Sequence, residues 1–248
     1  MIIIKSNSEI ALMREAGRVV ARVFEKLRKS ILPGIKTSKI NELAEEELAR
    51  WGAKSSFNGY HGYPKSICVS INEEVVHGIP GERKLKEGDI VSLDFGALLK
   101  GYHGDSALTL PVGEIGEEAE RLLKVTKEAL NRAISKAQAG NRLGDISFSI
   151  QDYVESNGFS VVRDLVGHGI GRSLHEDPQI PNFGKPGQGP LLKVGMTLAI
   201  EPMVNMGGFE VEVKEDDWTV ITRDRSLSCH FEHTIAILGD GPEILTRV

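Results

Sequence analysis

Four stretches of the chain repeat apolar residues with the spacing that gives a helix one buried face. In the first stretch these residues are Ile10, Met13, Ala16, Val20, Val23, Phe24 and Leu27. Ser8 is expected to cap the start of this helix, and Thr37 or Ser38 is expected to cap the start of the second helix. The second helix is expected to end at Gly52. The four helices are predicted over residues 8–30, 40–51, 117–138 and 145–157.

Short apolar runs bounded by glycine, proline or asparagine fill much of the remaining chain, and this pattern is typical of β-strands. Strands are predicted at residues 67–71, 75–80, 90–94, 107–110, 161–162, 197–200, 211–213, 218–221 and 233–238. Helices and strands in these proportions indicate an α+β domain.

The order of elements repeats once along the chain. Gly52, after the second helix, recurs as Gly158 after the fourth, and residues 85–94 match residues 192–201. Each of these matching runs ends in a carboxylate. We therefore expect duplicated helix–helix–strand halves, related by a pseudo-two-fold axis, around a central antiparallel sheet. The expected unit is a single domain, residues 1–248, with halves at roughly 1–110 and 111–248.

Composition narrows the classes of function. A chain of 248 residues with 40% hydrophobic and 26% charged residues is ordinary for a soluble globular domain. The net charge of −5 offers no basic surface for nucleic acid or anionic membranes. No apolar run approaches the ~18 residues that cross a bilayer. Cys68 and Cys229 have neither disulfide nor zinc-site spacing, so a cytoplasmic protein is expected.

Candidate chemistry begins with two aspartates on one predicted hairpin. Asp94 ends its first strand, Asp105 opens its second, and Lys100-Gly101 forms the turn. We expect the two side chains to face each other, with Cβ atoms about 5 Å apart. Neighbouring buried carboxylates repel unless a proton or a cation lies between them. For an isolated pair, the alternative is that both aspartates cap turns.

Three more residues with metal-binding side chains lie beside predicted strands. His168 is flanked by glycines, Glu201 ends an apolar run, and Glu232 precedes one. Taken alone, His168 is better explained as a core or turn histidine. The set of four carboxylates and one imidazole favours two divalent cations, which would neutralise the four charges. An oxygen-rich set without thiolate favours Mn, Fe(II) or Co over a structural zinc.

Six motifs together resemble the type I methionine aminopeptidases. They are GYHGYPKS at 59–66, HGIP at 77–80, GYHGD at 101–105, GHGIG at 167–171, IEPM at 200–203 and FEHT at 231–234. The resemblance extends over almost the whole chain and is to the short bacterial-style form. It implies the α/β pita-bread fold. It also implies removal of the initiator methionine from nascent proteins and peptides whose second residue is small.

The resemblance implies a role for each candidate residue. One metal would be held by Asp94, Asp105 and Glu232, and the other by Asp105, His168, Glu201 and Glu232. A hydroxide that bridges the two metals would attack the first peptide carbonyl, with Co, Mn, Fe(II) or zinc as candidate ions. His175 would stabilise the oxyanion, Glu201 would transfer the proton, and His77 would contact the scissile amide. Both histidines would therefore also contact substrate.

The resemblance also implies a pocket for the methionine side chain. Its lining residues would be Phe57, Tyr60, Tyr63, Cys68, Leu174 and Trp218. Phe57 and Leu174 replace a cysteine and a phenylalanine of the best-known bacterial enzymes, which alters the expected pocket shape and inhibitor preference. His230 stands where glutamine is common, and we expect it to act from behind the ligands. The remaining histidines, expected to be structural, are His61, His103 and His233.

The resemblance implies that the partners are nascent polypeptide N-termini at the ribosome. The protein is expected to be a monomer that recognises neither a nucleic acid sequence nor a membrane. One rival hypothesis is an X-Pro aminopeptidase or prolidase. Those enzymes usually carry a separate N-terminal domain, and the loop at residues 60–63 fits them less well. The other rival is a non-catalytic pita-bread binding protein. Such proteins typically lose metal ligands, whereas this sequence keeps all five.

Overall fold

The computed structural model describes residues 1–247. Its helices are α1 (Asn7–Arg28), α2 (Thr37–Arg50), α3 (Glu117–Lys136) and α4 (Leu143–Ser156), with a short 3₁₀ turn at Tyr60–Gly62. The strands of the first half are β1 (Lys54–Ser55), β2 (Cys68–Ile71), β3 (Glu74–Val76), β4 (Ile90–Leu99) and β5 (Tyr102–Pro111). Those of the second half are β6 (Ser160–Val161), β7 (Val166–Gly169), β8 (Glu176–Pro181), β9 (Thr197–Ile200), β10 (Met203–Asn205), β11 (Val211–Val213), β12 (Val220–Thr222), β13 (Ser228–His230), β14 (His233–Leu238) and β15 (Gly241–Ile244).

Each helix pair buries most of its apolar face against strands of its own half, but Ile10 and Met13 of α1 pack in a third core that includes residues of the second half. The predicted apolar face of α1 is buried throughout. It shares a core with α2, β2 and β4, drawn from residues 19–112. A second core joins α3 and α4 to β9 and β14, and apart from Ile90 it is drawn from residues 119–237. Phe231 packs against both cores. Within residues 1–247, no helix is long and apolar enough to cross a membrane.

The two halves repeat each other in their backbone hydrogen bonds. Gly34 N–H donates to Leu85 O at 2.7 Å, and Gly140 N–H donates to Leu192 O at 3.0 Å. The sequence repeat aligns the same residues. Both glycines have positive φ, +90° and +98°, which suits the tight turn before α2 and before α4. The duplication expected from the sequence is therefore present in the fold.

The observed strand pairs are antiparallel, and two larger sheets meet side by side. In one, β4 pairs with β1, β2 and β5; the other has the order β15-β14-β9-β7-β8. The sheets join where β5 approaches β14. Thr234 Oγ1 accepts a hydrogen bond from Asp105 N at 2.9 Å and donates one to Asp105 O at 2.7 Å. Glu232 N donates to Ala107 O at 2.9 Å. Two candidate metal ligands therefore lie on the seam between the halves.

The hairpin of Asp94 and Asp105 differs from the predicted one in register. The first strand continues past Asp94 to Leu99, so Asp94 faces Ala107, and Asp105 faces Gly96. The expectation that the two aspartates lie directly opposite was wrong. They form a diagonal pair on one face of the sheet, still within reach of a common partner. A Cβ at Gly96 would lie 2.8 Å from Ser56 Cβ, so a larger residue there would clash.

The starts of the first two helices also differ from prediction. Ser6, not Ser8, caps α1: Ser6 Oγ accepts from Glu9 N at 3.3 Å, and the Glu9 carboxylate accepts from Ser6 N at 2.9 Å. This is a capping box, whose signature is the glutamate three residues after the cap. α2 begins at Thr37 after Lys36, which makes no side-chain cap. The Thr37 hydroxyl instead donates to Gly81 O at 3.1 Å.

Several strands are shorter than predicted or were not predicted. The strand expected at 75–80 ends at Val76, because the next residue, His77, has φ +61° and leaves the extended region. The strand expected at 218–221 lies at Val220–Thr222. Strands that were not predicted are β1, β7, β8, β10, β13 and β15. They are short or carry proline and polar residues, so their apolar alternation is weak.

The seam between the halves should be a sensitive point for stability. Replacing the fully buried Thr234 by valine removes the hydroxyl that is hydrogen-bonded to both the N–H and the C=O of Asp105. We therefore expect the free energy of unfolding to fall by about 1–3 kcal/mol. Thr126→Val is the matched control, since Thr126 is equally buried but donates only within α3, to Leu122 O. Urea unfolding of metal-free protein measures both. Equal losses in the two variants would contradict the importance of the seam.

Candidate metal centre

Five strands bring four carboxylates and one imidazole to one place. Asp94 comes from β4, Asp105 from β5 and His168 from β7; Glu201 directly follows β9, and Glu232 directly precedes β14. All five line one cavity of about 460 Å³. The same cavity is lined by the other predicted site residues, Phe57, Tyr60, Tyr63, Cys68, His77, Leu174, His175 and Trp218. The candidate residues, remote in sequence, thus share one cavity.

The ligand atoms surround a common centre. His168 Nε2 is 3.6 Å from Glu201 Oε1 and 3.9 Å from Asp105 Oδ2. Ligand atoms of Asp105, His168 and Glu232 lie within 4.8 Å of one another. These separations are too long for direct hydrogen bonds and leave room for ions between the atoms. The arrangement therefore resembles a coordination sphere more than a hydrogen-bonded cluster.

Unsatisfied polar atoms test whether the cluster fits a cation. Asp94 Oδ1, Asp105 Oδ1 and Glu232 Oε1 are buried without a hydrogen-bond partner among residues 1–247. Such oxygens are costly to bury unless a cation or proton satisfies them. His168 Nδ1 contacts Gly169 O at 2.9 Å, and if it donates there, Nε2 keeps a lone pair toward the carboxylates. The donor set fits divalent cations.

Burial shifts the titration of the cluster strongly. It raises the pKa of Asp105 to about 7 and lowers the pKa of His168 to about 3. Burial, followed by repulsion from neighbouring carboxylates, raises the pKa values of Asp94, Glu201 and Glu232 well above their usual range. Metal binding requires ionised carboxylates, so it should release protons from this site.

His175 is held as a neutral imidazole beside the cluster. Burial lowers its pKa to about 4, with nearby histidines contributing. The Tyr60 hydroxyl lies 2.6 Å from His175 Nδ1, and the His175 and His168 rings pack edge to face with centroids 4.2 Å apart. If Tyr60 O–H donates to Nδ1, the His175 proton sits on Nε2. His175 can then act as a hydrogen-bond donor in the cavity.

Part of the cavity wall is apolar and aromatic. Tyr63 packs edge to face against Trp218 with centroids 5.1 Å apart. Its hydroxyl donates to Ile67 O and Gly78 O at 3.1 and 3.0 Å, which leaves the ring facing the cavity. Cys68 pairs with Asp94 across β2 and β4, and burial raises the pKa of its thiol well above the usual range. The wall thus offers aromatic rings and an uncharged sulfur.

His77 reaches the cavity through an unusual backbone segment. Its φ of +61° turns the chain, and a Cβ on the following Gly78 would lie only 2.2 Å from Val69 O. Glycine is therefore required for this close passage along β2. The His77 ring lies edge-on to Trp218, at 6.4 Å between centroids. Burial lowers the pKa of His77, which favours the neutral form.

The other histidines divide into two groups. His103 Nδ1 contacts Ser56 Oγ at 2.8 Å, and His233 Nδ1 contacts Thr246 Oγ1 at 2.8 Å, as expected of structural residues. His230 is buried behind Glu201, with its Nε2 3.7 Å from Glu201 Oε2. His61 lines the cavity, which sequence reasoning missed. Its place beside Tyr60 in the glycine-rich loop was the available signal.

Comparison with known proteins places this site in a family. The sequence profile of metallopeptidase family M24 matches residues 11–238. The chain belongs to metallopeptidase family M24. It is 54% identical over 248 residues to a methionine aminopeptidase of Clostridium perfringens, with 100% of both chains covered. The crystal structure of a methionine aminopeptidase from Thermotoga maritima matches with TM-score 0.99 and 53% identity, again over 100% of both chains.

These similarities confirm the resemblance to type I methionine aminopeptidases and the α+β pita-bread fold. Membership in family M24 makes the protein a metal-dependent peptidase, and the buried cluster supplies side chains suited to a divalent cation. A prolidase from Pyrococcus furiosus matches with TM-score 0.80 at 22% identity, over 99% of this chain and 66% of that one. This more distant likeness concerns the fold alone.

The raised pKa of Asp105 predicts how metal-free protein responds to pH. The folded pKa of about 7 exceeds the ordinary value of roughly 4, so ionisation of Asp105 destabilises the metal-free fold as pH rises across that interval. Asparagine cannot ionise. We therefore compare the melting temperatures of the two metal-free proteins. The difference, Asp105→Asn minus wild type, should become more positive as pH rises from 4.5 to 7.5.

Differential scanning fluorimetry in chelator measures this difference, and Asp152→Asn, at an exposed position on α4, controls for the loss of a carboxylate. With saturating Mn(II) or Co(II), the order should reverse, because wild type gains binding energy that the variant loses. A difference independent of pH in metal-free protein would contradict the shifted pKa.

Proposed function

We propose that the protein removes the N-terminal methionine from peptides and proteins whose second residue is small. The observation that carries this proposal is the lining of one cavity, which combines a carboxylate–imidazole cluster with apolar and aromatic side chains. Full-length relatives are named methionine aminopeptidases, which supports the same activity. The cluster would hold the reacting amide, and the apolar and aromatic side chains would hold the methionine side chain.

We assign the five clustered residues to two divalent cations. Asp105 and Glu232 would be shared, with Asp94 completing one site and His168 and Glu201 the other. Such cations would lower the pKa of water and polarise the peptide carbonyl. Mn, Fe(II) and Co suit an oxygen-rich set with one nitrogen, and zinc is a further candidate. The orphaned oxygens of Asp94, Asp105 and Glu232 support this assignment.

Three further roles follow from the positions of polar side chains. His175, neutral and oriented by Tyr60, would donate from Nε2 to the carbonyl oxygen as negative charge develops. Glu201, whose pKa is raised by burial and by Asp94 and Asp105, would hold and return the proton of the attacking water. His77 would contact the scissile amide and its leaving nitrogen.

The apolar wall would provide specificity. Tyr63, Cys68 and Trp218 present an apolar, polarisable surface that suits a thioether. Phe57, Tyr60 and Leu174 border the same space. Because a methylene group in a pocket changes transition-state binding by only about 1–3 kcal/mol, discrimination should be graded, with norleucine accepted better than leucine.

We place this activity in the cytoplasm, on nascent N-termini at the ribosome, with the protein acting as a monomer. The net charge of −5 supports a partner other than nucleic acid or membrane. We further propose that residues 1–248 form one catalytic domain with halves at roughly 1–110 and 111–248. The two cores meeting at Phe231 support that division.

Methionine release from Met-Ala-Ser by chelator-stripped protein tests the function. We expect Mn(II), Co(II) or Fe(II) to restore cleavage, with Met-Leu-Ser and Ala-Ala-Ser cleaved at least about 100-fold more slowly, since each lacks a fit that the cavity requires. The released amino acid, methionine or alanine, is quantified by chromatography. Folded protein that cleaves none of these peptides with any metal would favour the rival hypothesis of a non-catalytic binding protein.

Glu201→Gln separates proton transfer from folding. The substitution keeps size but cannot carry the proton, so we expect kcat to fall at least about 100-fold. Thermal unfolding and bound metal, measured by mass spectrometry, show whether the fold and the site survive. Gln179→Glu, at an exposed position on β8, controls for charge exchange near the site. Near-normal kcat in Glu201→Gln would rule out its role in proton transfer.

A further inference from the structure

A buried ion pair lies behind the turn that carries His175. Lys5 Nζ is 2.5 Å from Glu176 Oε2, and the two side chains are only 3% and 6% exposed. Glu176 immediately follows His175 and begins β8. His175 lines the cavity, whereas Glu176 does not and instead contacts Lys5. The N-terminal segment therefore reaches the rear of the site through a buried charged contact, and the exposed ammonium of Met1 also pairs with the neighbouring Asp177.

Burying this pair is expensive. Both charges lose most of their hydration, and apolar residues of similar size often stabilise a fold as well as a buried ion pair does. Stability alone is therefore a weak reason for placing Lys5 and Glu176 here. Separating the two groups would leave each charge buried and unpaired, which is strongly unfavourable. The fold therefore holds Lys5 and Glu176 at a fixed distance and orientation.

The pair ties three segments of the chain together. Glu176 Oε1 accepts from Ser173 N at 3.2 Å, which fixes the turn before His175. Lys5 N donates to Gly195 O at 2.8 Å, next to β9, which leads into Glu201. The ammonium of Lys5 also lies 3.3 Å from Ile3 O, which holds its own segment in place.

The turn packs against the pair without free space. A Cβ on Gly171 would lie 2.6 Å from Lys5 Cε and 2.7 Å from Glu176 Oε1. Gly171 also accepts a hydrogen bond from His103 N at 2.9 Å and donates one to Ser173 O at 3.1 Å. Movement of the ion pair would therefore move the turn.

On its cavity side, the same turn sets the position of the imidazole. His175 Nδ1 is 2.6 Å from the Tyr60 hydroxyl, and its ring packs against the ring of His168. A displaced turn would lengthen the contact with Tyr60, which fixes the tautomer. The buried pair and the imidazole thus form the two sides of one short segment, 171–176.

We propose that Lys5 and Glu176 are positioning residues for His175, holding its imidazole in the orientation that receives the peptide carbonyl. This inference rests on the proposed function, in which His175 stabilises developing negative charge. Transition-state stabilisation depends on donor placement, and a displacement of about 1 Å can reduce the rate about 100-fold. Lys5 thereby links the N-terminal segment to turnover without touching substrate.

The double substitution Lys5→Met/Glu176→Met tests the proposal, because it removes both charges and nearly keeps the volume. We expect kcat to fall at least about 10-fold with KM and bound metal little changed. If the pair acts only through His175, its loss should have no further effect on kcat once His175 is absent. We therefore expect the double substitution to leave kcat unchanged in a His175→Ala background, because the effects of coupled residues are not additive. Should this variant fail to fold, Glu176→Gln, which keeps the shape, is compared in the same two backgrounds.

Arg14→Met/Glu243→Met is the matched control. This pair joins α1 to β15 at 2.7 Å, is about one-third exposed, and neither element contributes a residue to the cavity. We expect its kcat to equal that of wild type. A similar fall in kcat in this control would show a general effect of lost ion pairs and overturn the proposal.

A second readout does not depend on turnover. The ring Cε1–H resonance of His175, assigned by its loss in His175→Ala, should shift in the Lys5/Glu176 variant and stay in place in the control. An unchanged resonance would overturn the proposal, as would an undiminished effect on kcat in the His175→Ala background. Wild type that releases no methionine would refute the proposed function, while the resonance still decides whether the pair positions His175.

Discussion

Four carboxylates, two buried and two half-buried, converge on one imidazole, and the rest of the structure accommodates this excess of negative charge. Three of their oxygens have no partner within residues 1–247, and burial raises the pKa values of all four groups. Such a cluster is costly unless cations occupy it. The charge that destabilises a metal-free site is therefore the same charge that gives it affinity for divalent ions and couples metal binding to protons.

The duplicated fold is suited to build such a site. Each half packs two helices over strands, and the halves join where Thr234 holds both backbone groups of Asp105. The seam places Asp105 and Glu232 between ligands from either half. Outside this cluster, backbone constraints such as the close passage at Gly78 and the turn over Lys5 and Glu176 orient the neighbouring histidines.

Much of the fold was predictable from sequence, because the helical periodicity and the repeated order of elements are visible along the chain. The positions of four carboxylates and one histidine beside apolar runs suggested all five candidate ligands, and the motif resemblance suggested their roles, although their spatial grouping depends on the fold. The register of Asp94 and Asp105 was not predictable from the apolar run: that run ends at Asp94, whereas the strand continues to Leu99. The contact between Lys5 and Glu176 joins residues 171 positions apart, and neither has a local signal.

The central claim is that the carboxylate–imidazole cluster is a two-cation site. Isothermal titration of chelator-stripped protein with Co(II), in buffers of different ionisation enthalpy, tests it most directly. The account predicts two cations per chain, proton release on binding, and loss of at least one cation in Asp105→Asn, because Asp105 would be shared. No binding, or two cations bound equally well by Asp105→Asn, would contradict it.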